Sequence, residues 1–432
     1  MSNRTSAGIA AIVVALSTVA ACDSLLEVEV PGNITEAELD NPVLAPDLVL
    51  SVQAAFDCML STYIEEIGRW AGDFYYMGTG TGFIYTQTRT GEVNDFEQAD
   101  CTQTGVTRSA AVWLPLSTTI RQGEQATALI GDMSDADVEH RTFLLAKAAA
   151  YTGYAYQIAG EVFCELAFDG GPAETRAQAW ARAEAKFTEA LQLAGQATSA
   201  TDGDAVASIE DMAYVGRARA QLHLGDAAGV LADAGQVTAG FSRLAEMDGS
   251  TGRRYNRVFE NMNDDEAISV HPNYLNLMVG GVPDPRVDSD SLGVIAQDAL
   301  TEVWTQNKYA DIGTDIPFAT WREAQLMIAE ADPAQIPAVI NSLRATWPTI
   351  AGETYVTGGL TTDLGALLEE RRRELWMQGH KLGDMLRVQA DASLPDISGY
   401  LFDSGFNQRS QPYGTSTCYP LPLSEKENNP NF

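Results

Sequence analysis

A chain of 432 residues with 27 Lys and Arg against 59 Asp and Glu has a formal charge of −32, which repels phosphate backbones and anionic headgroups and so excludes nucleic-acid binding. The length suits one large domain or two to three ordinary ones, with ample sequence for a core. Four histidines and no CxxC spacing give no support to a zinc site or thioredoxin-like redox chemistry.

The first 22 residues read as an export signal. Arg4 supplies a positive start, residues 7–16 (AGIAAIVVAL) a short apolar stretch, and Val19-Ala20-Ala21 small residues directly before Cys22. That order is a lipobox, with Cys22 the residue to be lipidated. The apolar part is shorter than the about 20 residues a spanning helix needs. Residues 1–21 are therefore expected to be removed, and the mature chain to be tethered by lipid and to work outside the cytoplasm. Cys58, Cys101, Cys164 and Cys418 then remain, an even number in a compartment where disulfides persist. Three pairings are possible. Cys58 with Cys101 and Cys164 with Cys418 is the expected one, because the first pair brackets a single loop-rich segment.

After the leader, Thr35 and Glu38 stand in capping-box spacing, and residues 43–63 carry helical apolar spacing. Residues 68–91 change character. Trp70, Phe74, Tyr75, Tyr76, Phe83 and Tyr85 put six aromatics within 16 residues of a chain that is 8% aromatic, the composition of a stacking platform for sugar rings or peptide side chains. Arg69 and Asp73 offer polar contacts beside it. Trp304 and Tyr309, in a later insertion, are further candidates.

The middle of the chain is built from helix pairs. Residues 140–166 and 180–193 form the first, and Ala183, Phe187 and Ala190 have the small, aromatic, small spacing of a tetratricopeptide B helix. Residues 213–224 and 227–237 form a second pair, and 322–331 with 336–345 a third, enough to stack a continuous core. Residues 241–316, rich in Asp, Asn and Gly, read as an insertion on one face. A charged amphipathic helix follows over 364–386, striped by Leu364, Leu368, Leu375, Leu382 and Leu386. The fold is thus expected to be mainly α: tetratricopeptide-like pairs over about 140–240 and 318–390, with loop-rich insertions over about 66–135 and 241–316. Residues 22–432 make one binding domain.

Reactive motifs are missing. There is no GxSxG and no HExxH, and residues 78–82 lack the lysine and following helix of a P-loop. Acidic pairs such as Asp264-Asp265 arise freely among 59 acids and give little reason to expect a glycosidase. In the run 369–374 the arginines fall on different helix faces, and Glu330, Glu370 and Glu374 offer them bidentate partners that would lock the helix to the bundle. His380 and Asp384, at i and i+4, read as an ion pair on the helix surface. No metal or cofactor is expected, and EF-hand spacing is absent from the Asp/Asn-rich insertion.

Four separated segments resemble the SusD/RagB-like outer-membrane nutrient-binding lipoproteins. They are Cys22 with Leu25-Leu26-Glu27-Val28 and Pro31-Gly32-Asn33-Ile34-Thr35; Trp321-Arg322-Glu323-Ala324-Gln325-Leu326 through Ala331, with residues 341–344; Glu370-Arg371-Arg372-Arg373-Glu374-Leu375 with Gly379-His380-Lys381 and Asp384-Met385-Leu386-Arg387; and Tyr419-Pro420-Leu421-Pro422 with Glu425 and residues 429–432. The resemblance implies a non-enzymatic, surface-exposed lipoprotein of the cell outer membrane. It would bind oligosaccharides or peptides and cap a SusC-type TonB-dependent transporter. Gln378 and Leu382-Gly383 stand where the family usually has an acid and aromatics. Asp23 is the residue that, under the sorting rule of some Gram-negative bacteria, would hold a lipoprotein at the inner membrane. The alternative from the helix pairs alone is a protein-interaction scaffold in envelope assembly.

Overall fold

Helix α1 (Ala45–Ala71) runs through the middle of the body, and every residue from 55 to 71 is buried. Its apolar stretch is long enough to cross a membrane by length and composition alone, and 56% of that stretch is buried inside the protein, as in a core helix. The computed structural model describes residues 39–78, 89, 112–201, 204–355, 363–390 and 405–432. Cys22 and its export signal, Phe83, Tyr85 and Cys101 lie outside the described residues.

Around α1 pack α2 (Trp113–Asp132), α3 (Arg141–Val162) and α10 (Lys381–Ala390). The three expected pairs are present: α3 with α4 (Arg176–Ala194), α5 (Val206–Leu224) with α6 (Ala227–Ala234), and α7 (Trp321–Ala331) with α8 (Ile336–Arg344). Helix α4 opens with a capping box, Thr175 receiving the Gln178 backbone N–H and Gln178 reaching back to Thr175. Ala183, Phe187 and Ala190 are completely buried. The Phe187 ring lies against α3 and α5 at two glycines: a Cβ at Gly153 would sit 2.8 Å from it, and one at Gly216 only 2.3 Å. Small residues at these positions let three helices close around one ring.

Two expectations need correction. The span 66–135 is not a loop throughout, because 66–71 continue α1 and 113–132 form α2. The apolar stripe of α2 (Trp113, Leu116, Ile120, Ala126, Ile130) is interrupted in sequence by Thr119 and Gly123, which are buried as well. Gly123 is where α2 and α3 touch, since a Cβ there would fall 2.0 Å from the Thr152 hydroxyl. The helix expected over 364–386 is two, α9 (Asp363–Glu374) and α10. Between them Met377 (φ +58°) and Gly379 (φ +80°) are left-handed, which no continuous helix of L residues tolerates. Tyr309 and Tyr63 each donate a hydroxyl hydrogen bond of 2.7 Å to this joint, to the Met377 and Gly379 carbonyls respectively. Lys308 donates to the Trp376 carbonyl.

Among the described residues the strands are short and pair in twos: β1 (Phe74–Tyr76) with β3 (Ile268–Val270), β2 (Ser242–Ala245) with β8 (Ile316–Thr320), β4 (Met278–Val279) with β5 (Val282–Pro283), and β6 (Ser289–Ile295) with β7 (Glu302–Gln306), all antiparallel. They fold the insertion 241–316 back onto the helices.

The C-terminal segment, with the short helix α11 (Leu423–Asn428), is fastened to the end of α3. Cys164 and Cys418 are disulfide-bonded with Cα atoms 5.1 Å apart, and the Tyr419 N–H donates to the Val162 carbonyl at 2.7 Å. Cys58 is disulfide-bonded too, to a partner outside the described residues. Replacing Cys418 by Ser is expected to cost about 2–4 kcal/mol, read as a lower urea midpoint. An unchanged midpoint would show that the hydrogen bonds around Tyr419 hold the segment unaided.

Candidate functional site

The aromatic cluster at the end of α1 lies inside the protein. Trp70 and Phe74 are fully buried and Tyr76 nearly so. Trp70 meets the Tyr419 ring edge-on at 4.5 Å between centroids. Phe74 presses directly on Gly68, where a Cβ would lie 2.2 Å from its ring. Tyr75, 8% exposed, packs edge-on against His271 with centroids 4.3 Å apart. Asp73 is buried, accepts the Tyr274 hydroxyl at 2.5 Å and lies 3.7 Å from the Lys381 ammonium; burial raises its pKa against the pull of that lysine. Arg69 is paired with Glu65 and Glu66. Tyr309 is buried, its hydroxyl committed to the α9–α10 joint. The expected platform of Trp70, Tyr75, Tyr76 and Tyr309 is therefore core packing, and Asp73 is a buried ion-pair partner. Trp304, packed against the core, keeps part of its surface exposed.

The arginine run also departs in detail from expectation. Arg371 binds Asp384 at 2.8 Å and lies 3.7 Å from Glu330, while Arg372 and Arg373 share Glu369. Glu370 and Glu374 are instead held by arginines from elsewhere: Arg286 at 2.5 and 3.1 Å, Arg344 on Glu370, and Arg322 on Glu374. His380 and Asp384 form no surface pair, for both are buried. Asp384 faces Arg371 and Arg387. His380 lies 3.6 Å from Glu323, and burial followed by the nearby Arg219 and Arg371 charges holds its pKa well below the usual histidine range. It is neutral near pH 7.

Above this charge network opens a cleft of about 530 Å³, within the size range of small-molecule sites. Its walls are Phe241, Trp321 and Trp347, each partly exposed. Local structure fixes all three. The Trp321 N–H donates to the Phe241 carbonyl at 2.8 Å, tying the approach to β2 to the start of α7. Thr320 caps α7 by accepting the Glu323 N–H at 3.1 Å. The Trp347 indole N–H donates to Glu374 at 3.2 Å, and the Arg322 guanidinium covers its ring 5.0 Å from the centroid. The tryptophan is thus locked from behind, which lowers the entropy lost when a ligand packs on it.

Polar groups lie beside these walls. Gln378 is over nine-tenths buried and its side-chain oxygen has no hydrogen-bond partner among the described residues, a costly state for a buried acceptor. Lys308 lines the cleft, and burial brings its pKa down to about 7. Asn307 donates to Asp288 at 3.2 Å on the rim. Among the described residues the lining holds neither His nor Cys, and Glu374 is saturated by two arginines and the Trp347 indole. The arrangement suits stacking and hydrogen bonding. Sequence reasoning did not find this cleft; the available signal was a pair of tryptophans, Trp321 and Trp347, bracketing one helix pair.

No family model and no curated protein matches the sequence. Solved structures do. A SusD-like carbohydrate-binding protein from Bacteroides vulgatus superposes with a TM-score of 0.60 at 17% identity, over 90% of this chain and 97% of its own. The chain has the SusD-like fold. A laminarin-binding SusD-like protein matches over 91% of this chain and 100% of its own, with a TM-score of 0.62 and 14% identity. Surface glycan-binding protein A from Bacteroides thetaiotaomicron, solved with laminarihexaose, matches with a TM-score of 0.60 and 13% identity over 90% and 97% of the two chains.

Proposed function

We propose that this chain is a SusD/RagB-type nutrient-binding lipoprotein, anchored through Cys22 at the outer membrane, which captures an oligosaccharide as the lid of a SusC-type TonB-dependent transporter. The observation that carries the reading is the SusD-like fold across nine-tenths of the chain, shared with proteins described as binding laminarin and laminarihexaose. The open cleft walled by tryptophans supports it, since flat apolar faces beside hydrogen-bonding groups are what a sugar ring requires. Capture of this kind needs no covalent chemistry.

The test is binding of the purified full chain to a panel of neutral and acidic oligosaccharides and of peptides, by calorimetry. At least one glycan class is expected to bind while the peptides do not. Binding of peptides with no glycan bound would overturn the reading. Replacement of Trp321 by Ala, with folding verified by circular dichroism, is expected to weaken glycan binding by more than about 1 kcal/mol; unchanged affinity would remove the cleft from the site.

A further inference from the structure

We propose that the Trp321–Trp347 cleft is a subsite for a sugar ring bearing a carboxylate, with the tryptophans flanking the ring and the Lys308 ammonium receiving the acid. This rests on the reading of the chain as glycan-binding and adds a substrate class to it.

The charge arrangement carries the argument. A chain of net charge −32 repels anions in general, so an acidic ligand needs a local cation with capacity to spare. Three cationic side chains line the cleft: Arg286, Arg322 and Lys308. Arg286 is enclosed by Asp284, Glu370 and Glu374, and the charge of Arg322 is paired with Glu374 while its guanidinium covers the Trp347 ring. Lys308 differs. Among the described residues its ammonium meets the Trp376 carbonyl and, at 5.9 Å, the Tyr309 ring, and no carboxylate within ion-pairing distance. An ammonium has three N–H donors, so two remain for a ligand. Replacing water by a carboxylate there forms charge-assisted hydrogen bonds in a partly dry site, where they are strongest.

Gln378 supplies the independent sign that a ligand belongs here. The Gln378 side chain lines the same cleft, and its amide oxygen, buried just behind the surface, accepts no hydrogen bond among the described residues. A sugar hydroxyl is the donor it lacks. The aromatic walls account for the ring, Lys308 for the acid and Gln378 for a hydroxyl. Together they describe a uronic-acid unit better than a neutral hexose or an acidic peptide.

Calorimetry on the full chain with an oligogalacturonate, its carboxyl-reduced neutral counterpart and an oligo-aspartate peptide tests this. The oligogalacturonate is expected to bind at least tenfold tighter than the neutral form, the scale of one charge-assisted hydrogen bond. Lys308→Met, with folding verified by circular dichroism, is expected to abolish that preference. Lys308→Arg, which keeps the charge, is expected to retain part of the preference. Burial, with Arg322 adding to it and the Glu374 and Asp73 carboxylates opposing it, brings the Lys308 pKa down to about 7, so binding the acid above that pH requires proton uptake. Affinity for the acidic sugar should then be level below pH 7 and fall above it by up to about tenfold per pH unit, a slope the Met variant lacks. If neutral and acidic glycans bind equally, or Lys308→Met leaves the preference intact, the subsite assignment is wrong and the glycan-binding reading stands. If no glycan binds, both fall. Peptide binding as tight as the sugar's, and lost with Lys308→Met, would reassign the cleft to acidic peptides.

Discussion

Arg286→Met is expected to destabilise the protein by about 3–5 kcal/mol, the range for removing one member of a buried charge cluster. The substitution keeps most of the stem and removes the guanidinium from Asp284, Glu370 and Glu374, at 2.8, 2.5 and 3.1 Å. None of these four side chains is more than 1% exposed. Each carboxylate keeps a second partner, Arg373 on Asp284, Arg344 on Glu370 and Arg322 on Glu374, which places the loss toward the lower end. The arginine holds the Asp284 pKa below its ordinary value against the upward push of burial. A depressed carboxyl contributes stability that is present above the unfolded pKa of about 3.9 and fades as pH falls below it. The gap between parent and variant should therefore be full at pH 7 and narrow below about pH 4. Urea unfolding at several pH values measures both quantities. A gap under about 1 kcal/mol at pH 7 would mean that the three remaining arginines neutralise the site on their own.

Phe187→Ala is expected to cost a similar amount, about 3–5 kcal/mol, through the cavity it leaves. The ring fills the space between α3, α4 and α5, meets Tyr154 edge-on at 4.9 Å between centroids, and rests on Gly153 and Gly216. Glycines have no side chains to move into the gap, so the site cannot collapse and the cavity term is retained. A double-mutant cycle separates this from a general loss of helix. Gly216→Ala should be strongly destabilising in the parent, where its methyl would meet the ring at 2.3 Å, and tolerated once the ring is gone. If the two substitutions add without coupling, the ring is not seated between these glycines.

The helix pairs were legible because their information is local. The spacing of Ala183, Phe187 and Ala190 and the breaks after 166 and 224 require only a helical period to interpret. The aromatic run from Trp70 misled because enrichment does not distinguish an exposed platform from a buried cluster. Its direction is set by β3, whose pairing with β1 joins positions almost 200 residues apart. Helix α2 was hidden because Gly123 and Thr119, which read as interruptions, are the contact surface. The α9–α10 break was hidden because a leucine stripe persists across it and the first left-handed residue is Met377 rather than a glycine. The cleft needed Phe241, Lys308, Trp321, Trp347 and Gln378 together, and only the tertiary fold assembles that set. Four family-like segments conveyed the SusD-like fold where composition alone conveyed only helices.

The joint between α9 and α10 bears on how the chain assembles. Its left-handed turn is held by hydroxyls and an ammonium that arrive from far away, Tyr63 across 316 positions and Lys308 and Tyr309 across 68. The second and third helix pairs, by contrast, close over short loops, from Leu224 to Ala227 and from Ala331 to Ile336. Contacts of such long range demand that most of the chain already be ordered, because loop-closure entropy has to be met before they return anything. The joint is therefore expected to close late, and interactions that form after the folding barrier act on how slowly a protein comes apart rather than on how fast it folds. A joint that closes late in this way sets how long the folded chain lasts once it has formed.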